Sequence, residues 1–165
     1  MILAVTLAAI STVAGVRCFD VRAAPDGGCL VSQQVALVGA YGELHGAFVA
    51  NDLPGAGIVA GATWGGDVGS PWFHFRHDRL RLAVRLTLDS GVMLHDRTNG
   101  VTTSTVVDID FATFTLGPQL WVRISRAAFF VARAAAGGSF FFLDLNHPNI
   151  SPTVDGAVGF AFDLL

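Results

Sequence analysis

The chain has 165 residues, of which 52% are hydrophobic and only 14% charged; the mean hydropathy is +0.56 and the formal net charge is -3. That length fits one domain, residues 1–165, with a core large enough to need no metal or disulfide staple. All 10 basic residues are arginines and they lie dispersed, which excludes the clustered basic face of a nucleic-acid-binding protein, and no apolar run reaches the ~20 residues of a transmembrane helix.

A chain this apolar without a spanning helix has the composition of a membrane barrel, whose lipid-facing residues are spread one in two along strands. Nineteen glycines and 13 phenylalanines suit closely packed strands better than a helical bundle.

Residues 1–16 (MILAVTLAAISTVAGV) read as an apolar first strand. The alternative, a signal-peptide core, would need a basic n-region and a small-x-small cleavage site before Arg17. Cys18 and Cys29 flank a Pro-Asp-Gly-Gly turn signal, and in an oxidising compartment they would form a cross-hairpin disulfide; in a reducing one they would be free thiols. Residues 30–50 read as one long strand. In it Ala36, Val38, Leu44 and Phe48 share a face, and Tyr41, Glu43 and His45 share the other. A turn at 51–57, a short strand at 58–64, a loop at 65–70 and a strand at 71–77 follow from the Gly and Pro content.

Residues 79–89 (RLRLAVRLTLD) carry the sharpest pattern. Leu80, Leu82, Val84, Leu86 and Leu88 alternate with Arg79, Arg81, Ala83, Arg85, Thr87 and Asp89, so an extended backbone separates aliphatic from polar side chains completely. In a soluble barrel or sandwich the leucines would fill the core. In a transmembrane barrel they would face lipid and the arginines a polar lumen.

Residues 90–104 begin as strand and end as an Asn-Gly loop. In 105–125 the apolar parity switches between Phe111 and Phe114, which predicts a β-bulge or a membrane boundary there, and Pro118 predicts a further bulge. Next, 128–145 places Phe130, Phe140 and Phe142 on one face and Arg133 on the other. The two phenylalanine groups stand about ten residues apart, which at ~3.3 Å per residue and a ~40° tilt spans ~25 Å, the height of a lipid-facing band between aromatic girdles. Residues 146–152 read as a loop and 153–165 as the last strand, with Val158, Phe160, Phe162 and Leu164 on one face. The count is about eight strands, an even number as a closed barrel of this kind requires. With the N-terminus in the periplasm, the connections at 19–28, 65–70, 90–104 and 146–152 fall outside, and those at 51–57, 78 and 125–127 inside.

The hairpin LGPQLWVRIS-turn-AAFFVARAAAGGSFFF and the terminal VGFAFDLL resemble the Gly-Pro strand, Gly-Gly strand and closing strand of small Gram-negative outer-membrane β-barrel proteins. The resemblance covers about half of the chain. It implies an all-β fold, a closed antiparallel up-and-down transmembrane barrel of about eight strands, located in the bacterial outer membrane. It also implies the lipid bilayer and the barrel assembly machinery as partners, together with a surface partner that the sequence does not name. Such proteins usually end in an aromatic residue; here Leu164 and Leu165 stand instead.

In such a barrel Leu80, Leu82, Val84, Leu86, Leu88, Phe130, Phe140, Phe142, Phe160 and Phe162 face lipid. Glu43, His45, Arg81, Arg85, Asp89, Arg123, Arg133 and Asp163 form a lumen ion network, since an unpaired charge in a narrow lumen costs several kcal/mol and ~8 strands leave room only for side chains. The expected role is structural or surface-interacting and non-enzymatic, with no cofactor and no metal. Two alternatives stand beside it. A lipid-modifying outer-membrane enzyme, a lipid-A hydrolase or acyltransferase, would use His45 with Glu43. A soluble lipocalin-like barrel would bind an apolar ligand inside.

Overall fold

The computed structural model describes residues 9–19, 29–39, 41–53, 57–99, 103–142 and 149–164. Among them run β1 Ala9–Phe19, β2 Cys29–Val38, β3 Gly42–Leu53, β4 Gly57–Gly69, β5 Phe73–Phe75, β6 Leu80–Asn99, β7 Thr103–Arg123, β8 Ala128–Phe142 and β9 Asn149–Asp163. Every pairing is antiparallel; β9 pairs with β1 and β4 with β6, so the sheet closes into an eight-stranded barrel.

The alternation along the strands fixes which face goes where. Phe48 and Leu44 are 78% and 68% exposed on the outside, whereas Arg85 and Thr115 are 1% and 2% exposed on the inside. Val84, Leu86, Leu88, Phe130, Phe160 and Phe162 share the outer surface, and Phe130 meets Phe160 edge to face at 6.2 Å. Leu80 and Leu82 are half-buried at the positions that pair with β5. Phe140 is half-buried against Phe114, their rings 5.8 Å apart; the side chain of Phe142 lies outside the described residues. A lipocalin-like barrel requires the opposite polarity, so that alternative is overturned: the leucines of β6 are not a core.

Several boundaries differ from the sequence reading, each for a local reason. Residues 30–50 are two strands. Gly39 N–H donates to the Gly42 carbonyl at 2.8 Å, closing a turn, and antiparallel partners share a face, so Val38 inside puts Glu43 inside and reverses the parity. Residues 65–70 are strand for the most part, because Gly65, Gly66 and Gly69 lie where β4 runs close to its neighbours; a Cβ on Gly69 would stand 2.1 Å from the Val84 carbonyl. Residues 90–99 and 103–104 extend β6 and β7 rather than forming a loop, and 149–152 belong to β9. Beyond Leu94, the last described β6 residue paired to β4, and before Asp110, where the described part of β8 begins to pair, β6 and β7 pair only with each other among the described residues. They leave the barrel as a two-stranded ribbon. β6 and β7 keep one register from end to end, so neither the parity switch at Phe111 nor Pro118 makes a bulge. Phe111 is simply buried in the lumen, and at Gly117–Pro118 the ladder to β8 lapses and resumes unshifted at Gln119↔Arg133.

The one shift of register occurs elsewhere. Gly69 pairs with Arg85 and Phe73 with Leu82, so four steps on one strand oppose three on β6. β4 and β5 are thus one barrel edge interrupted by an extra residue. The interruption is pinned on both sides: Ser70 N–H donates to the Val84 carbonyl and Val84 N–H to Ser70 Oγ, each at 3.0 Å.

The end that carries Ala9 and Asp163 also carries the Gly39–Gly42 hydrogen bond and the turns at 76–79 and 124–127. Leu53 and Gly57 lie at the opposite end with Cys18 and Cys29, so the 51–57 connection belongs there and not with the termini. Residues 1–8 of the expected first strand are outside the described residues.

Strand approach is tightest where β7 meets β8. A Cβ on Gly137 would lie 1.9 Å from the Phe114 carbonyl. Gly137→Val is therefore expected to abolish closure, read as loss of the fast-migrating unboiled band on a gel.

Candidate functional site

The lumen is the candidate site, and it is stratified. At the end bearing the termini the chain makes a turn in which Arg76, His77 and Asp78 all adopt left-handed backbone, φ 51°, 57° and 65°. Such conformations cost ~1–2 kcal/mol each for side-chain-bearing residues, and ion pairs hold them. Asp78 accepts two hydrogen bonds from Arg81, both at 2.8 Å, and a further one from Arg123, and it contacts His74. Arg81 also reaches Asp163 at 3.4 Å. Hydrogen bonding by Arg81, then by His74, with the Arg81 and Arg123 charges, holds the Asp78 carboxyl well below the usual carboxylate range despite partial burial.

Beneath this rim lies an aromatic layer. The Arg81 and Arg123 guanidiniums stand 4.2 and 4.9 Å from the Phe129 ring centre. Phe129 packs on Trp121 at 5.5 Å, and Trp121 on Trp72 at 4.8 Å. Trp72 is the residue that the register shift turns inward. Small apolar side chains, among them Ala9, Ala36, Ala157 and Ala161, complete the layer.

The next layer is charged. Arg85 lies 4.5 Å from the Trp72 ring centre and 3.8 Å from Asp67. No hydrogen-bond partner reaches its guanidinium among the described residues. Glu43 N–H donates to Asp67 at 3.1 Å, and the Glu43 carboxylate faces Arg133 at 3.8 Å. From Arg133 the chain of charges continues through Asp155, 3.3 Å away, to Arg17, which bridges Asp155 at 2.8 Å and Asp89. Asp89 in turn meets His45 Nε2 at 2.5 Å. A cavity of about 20 Å³, room for roughly one water, lies among Arg17, Gln34, His45, Asp89, Arg133 and Asp155. Above it a hydroxyl ladder runs from Thr113 to Ser139 at 2.7 Å and from Ser139 to Thr153 at 2.8 Å.

The eight expected network residues are all on the lumen side but form two groups. Arg81, Arg123 and Asp163 belong to the rim; Glu43, His45, Arg85, Asp89 and Arg133 belong to the interior. Within them Arg81 reaches Asp163 and Arg133 faces Glu43, whereas Asp89 meets Arg17 and His45, Arg85 lies beside Asp67, and Arg123 beside Asp78. Sequence reasoning missed Arg17, Asp67, Asp78 and Asp155. Asp155 was legible by parity, since it falls on the face opposite Val154 and Val158; Asp67 and Arg17 were hidden in segments read as loop and turn. Cys18 and Cys29 face each other across β1 and β2 as a disulfide, Cα atoms 4.0 Å apart. Among the described residues no three His, Cys, Asp or Glu side chains gather as a metal ion requires.

An apolar outer face on a closed antiparallel ring, with charge and hydroxyls sealed inside, defines the class: an eight-stranded barrel of the transmembrane type. No protein-family model matches the chain, and no curated protein matches it. Among solved structures it is similar to the N-terminal β-barrel domain of Pseudomonas aeruginosa OprF, with 11% identity and a TM-score of 0.47 over 94% of this chain and 97% of that one. It is also similar to Ail, the attachment invasion locus protein of Yersinia pestis, solved in complex with the heparin analogue sucrose octasulfate, with 12% identity and a TM-score of 0.44 over 94% of this chain and 95% of that one.

Two outcomes follow from this geometry. Arg85→Leu takes the ion-pair partner from buried Asp67 and should destabilise the barrel by ~3–5 kcal/mol, whereas Arg85→Leu with Asp67→Asn should recover most of that loss; urea unfolding in detergent measures both. Because Asp78 holds its proton less tightly when folded, its contribution is complete above the ordinary carboxylate range and fades as pH falls toward the lowered value. The unfolding midpoints of the parent and Asp78→Asn should therefore converge in strong acid, separate as pH rises toward about 4 and stay apart above it.

Proposed function

We propose that this chain is a bacterial outer-membrane barrel protein with a structural or surface-interaction role, its lumen plugged by its own side chains. The observation that carries the reading is the side chains that fill the bore: Trp72, Trp121 and Phe129 at one level, and the Arg17, Asp89, His45, Asp155 and Arg133 chain at the next, around a cavity of about 20 Å³. An eight-stranded ring leaves little more than side-chain width, so a continuous water column has no room. The ribbon of β6 and β7 supports the surface role, because among the described residues it continues past the last pairings to β4 and β8, where a partner would meet it. Insertion by the barrel assembly machinery belongs to the same reading. A catalytic role in lipid modification is disfavoured by position: the His45 side chain is 3% exposed and its Nε2 is held by Asp89, inside the wall that an acyl chain would have to cross.

Expression behind an export signal is expected to deliver the protein to outer-membrane fractions. Purified barrel in planar bilayers should show no steady conductance, and cells carrying His45→Ala should have unchanged lipid A. Open-channel currents in every insertion would remove the plugged-lumen reading, and altered lipid A would remove the non-enzymatic one.

A further inference from the structure

The rim at the terminus-bearing end has a surplus of positive charge that the network does not consume. Its described carboxylates are Asp78 and Asp163, and both are occupied: Asp78 by Arg81, Arg123 and His74, and Asp163 by Arg81. Arg76, Arg79 and Arg126 are exposed and have no carboxylate partner among the described residues. They are also held near one another. Arg123 N–H donates to the Arg79 carbonyl at 2.8 Å, and Arg123 Nη1 to the Arg126 carbonyl at 3.4 Å. Asp78 then clamps the 76–79 turn to β7 through the Arg123 guanidinium. Directly alongside, Phe73, Phe75 and Ile124 expose 50%, 47% and 59% of their surfaces.

Free guanidiniums fixed at the margin of an apolar belt match one environment closely, the phosphate plane of a membrane, where arginine stems lie on hydrocarbon and their heads reach the headgroups. The short turns of such barrels lie on the periplasmic side, where the leaflet is built of glycerophospholipids. We infer that Arg76, Arg79 and Arg126 form a binding rim for the phosphates of anionic glycerophospholipids in that leaflet. This rests on the outer-membrane reading. The backbone strain at 76–78 is consistent with the role, since the Asp78 clamp keeps Arg76 and Arg79 at the barrel edge.

The test is to fold the protein into vesicles containing phosphatidylcholine and phosphatidylglycerol in equal amounts, extract it gently, and measure the ratio of the two lipids it retains by native mass spectrometry. Heat-dependent gel mobility is recorded on the same samples. The parent should retain phosphatidylglycerol about fivefold over phosphatidylcholine, the equivalent of ~1 kcal/mol for an arginine at an anionic surface, and added salt should reduce the ratio. In R76Q/R79Q/R126Q the ratio should fall to that of the vesicles, and in R76K/R79K/R126K it should be kept, both with the mobility shift intact. A parent that inserts but retains the two lipids equally overturns the inference and leaves the barrel reading standing, as does a preference unchanged by the glutamine substitutions. A parent that inserts into neither lipid overturns the membrane reading, and the rim with it.

Discussion

The bore of an eight-stranded ring is little wider than the side chains that point into it, and much of the structure answers that constraint. Polar side chains pointing inward cannot be hydrated there, so each must find a partner across the bore or remain at high energy. Arg17 from β1, Asp89 from β6, Asp155 from β9, and Arg133 from β8 meet because they project from different strands to one level; Arg17 and Asp155 face each other on adjacent strands, and the Arg17–Asp89 contact ties β1 across the bore to β6, with which it does not pair. Closure and charge pairing are therefore one event. The strands bring the ions together, and the ions require the ring to be closed.

The terminus-bearing end uses a second device. A single extra residue between β4 and β5 turns Trp72 into the mouth, where it meets Trp121 and lies against the buried Arg85 guanidinium. This gives one of the long ion pairs of the lumen, Arg85 with Asp67 at 3.8 Å, an aromatic face in place of hydrogen bonds. The same insertion leads into the left-handed turn at 76–78, and Asp78 repays that strain by gathering Arg81 and Arg123. The inward Trp72 and the charged rim thus follow from one local irregularity.

The alternation in β6 was legible because nothing in its own chain interrupts it: Leu82, Val84, Leu86 and Leu88 keep one face through a strand whose register with β7 is constant. The inward identity of Glu43, His45, Arg85, Asp89 and Arg133 followed from the same pattern. What failed was continuity. A period of two passes unbroken through the 39–41 turn, so the sequence of β2 and β3 reads as one strand although the faces exchange within it. Glycine has no side chain to show a face, which made the second half of β4 read as loop and concealed Asp67. The strand count came out at eight because one merged pair and one segment read as a full strand compensated. Partner choice was not legible at all, since Arg17 meets Asp89 across the bore and sequence distance carries no trace of that contact.

The central claim is the inversion of polarity, with apolar side chains outward and aromatic and charged ones sealed within. Trp64 and Trp121 report the two sides independently, the first 53% exposed on the outer face and the second 1% exposed in the lumen. Variants retaining one or the other tryptophan, folded into vesicles of brominated phosphatidylcholine, test it directly. The account predicts strong quenching of Trp64 by the bromines and little quenching of Trp121. Quenching of Trp121 with Trp64 open to an aqueous quencher would contradict it and place the β6 leucines in a protein core.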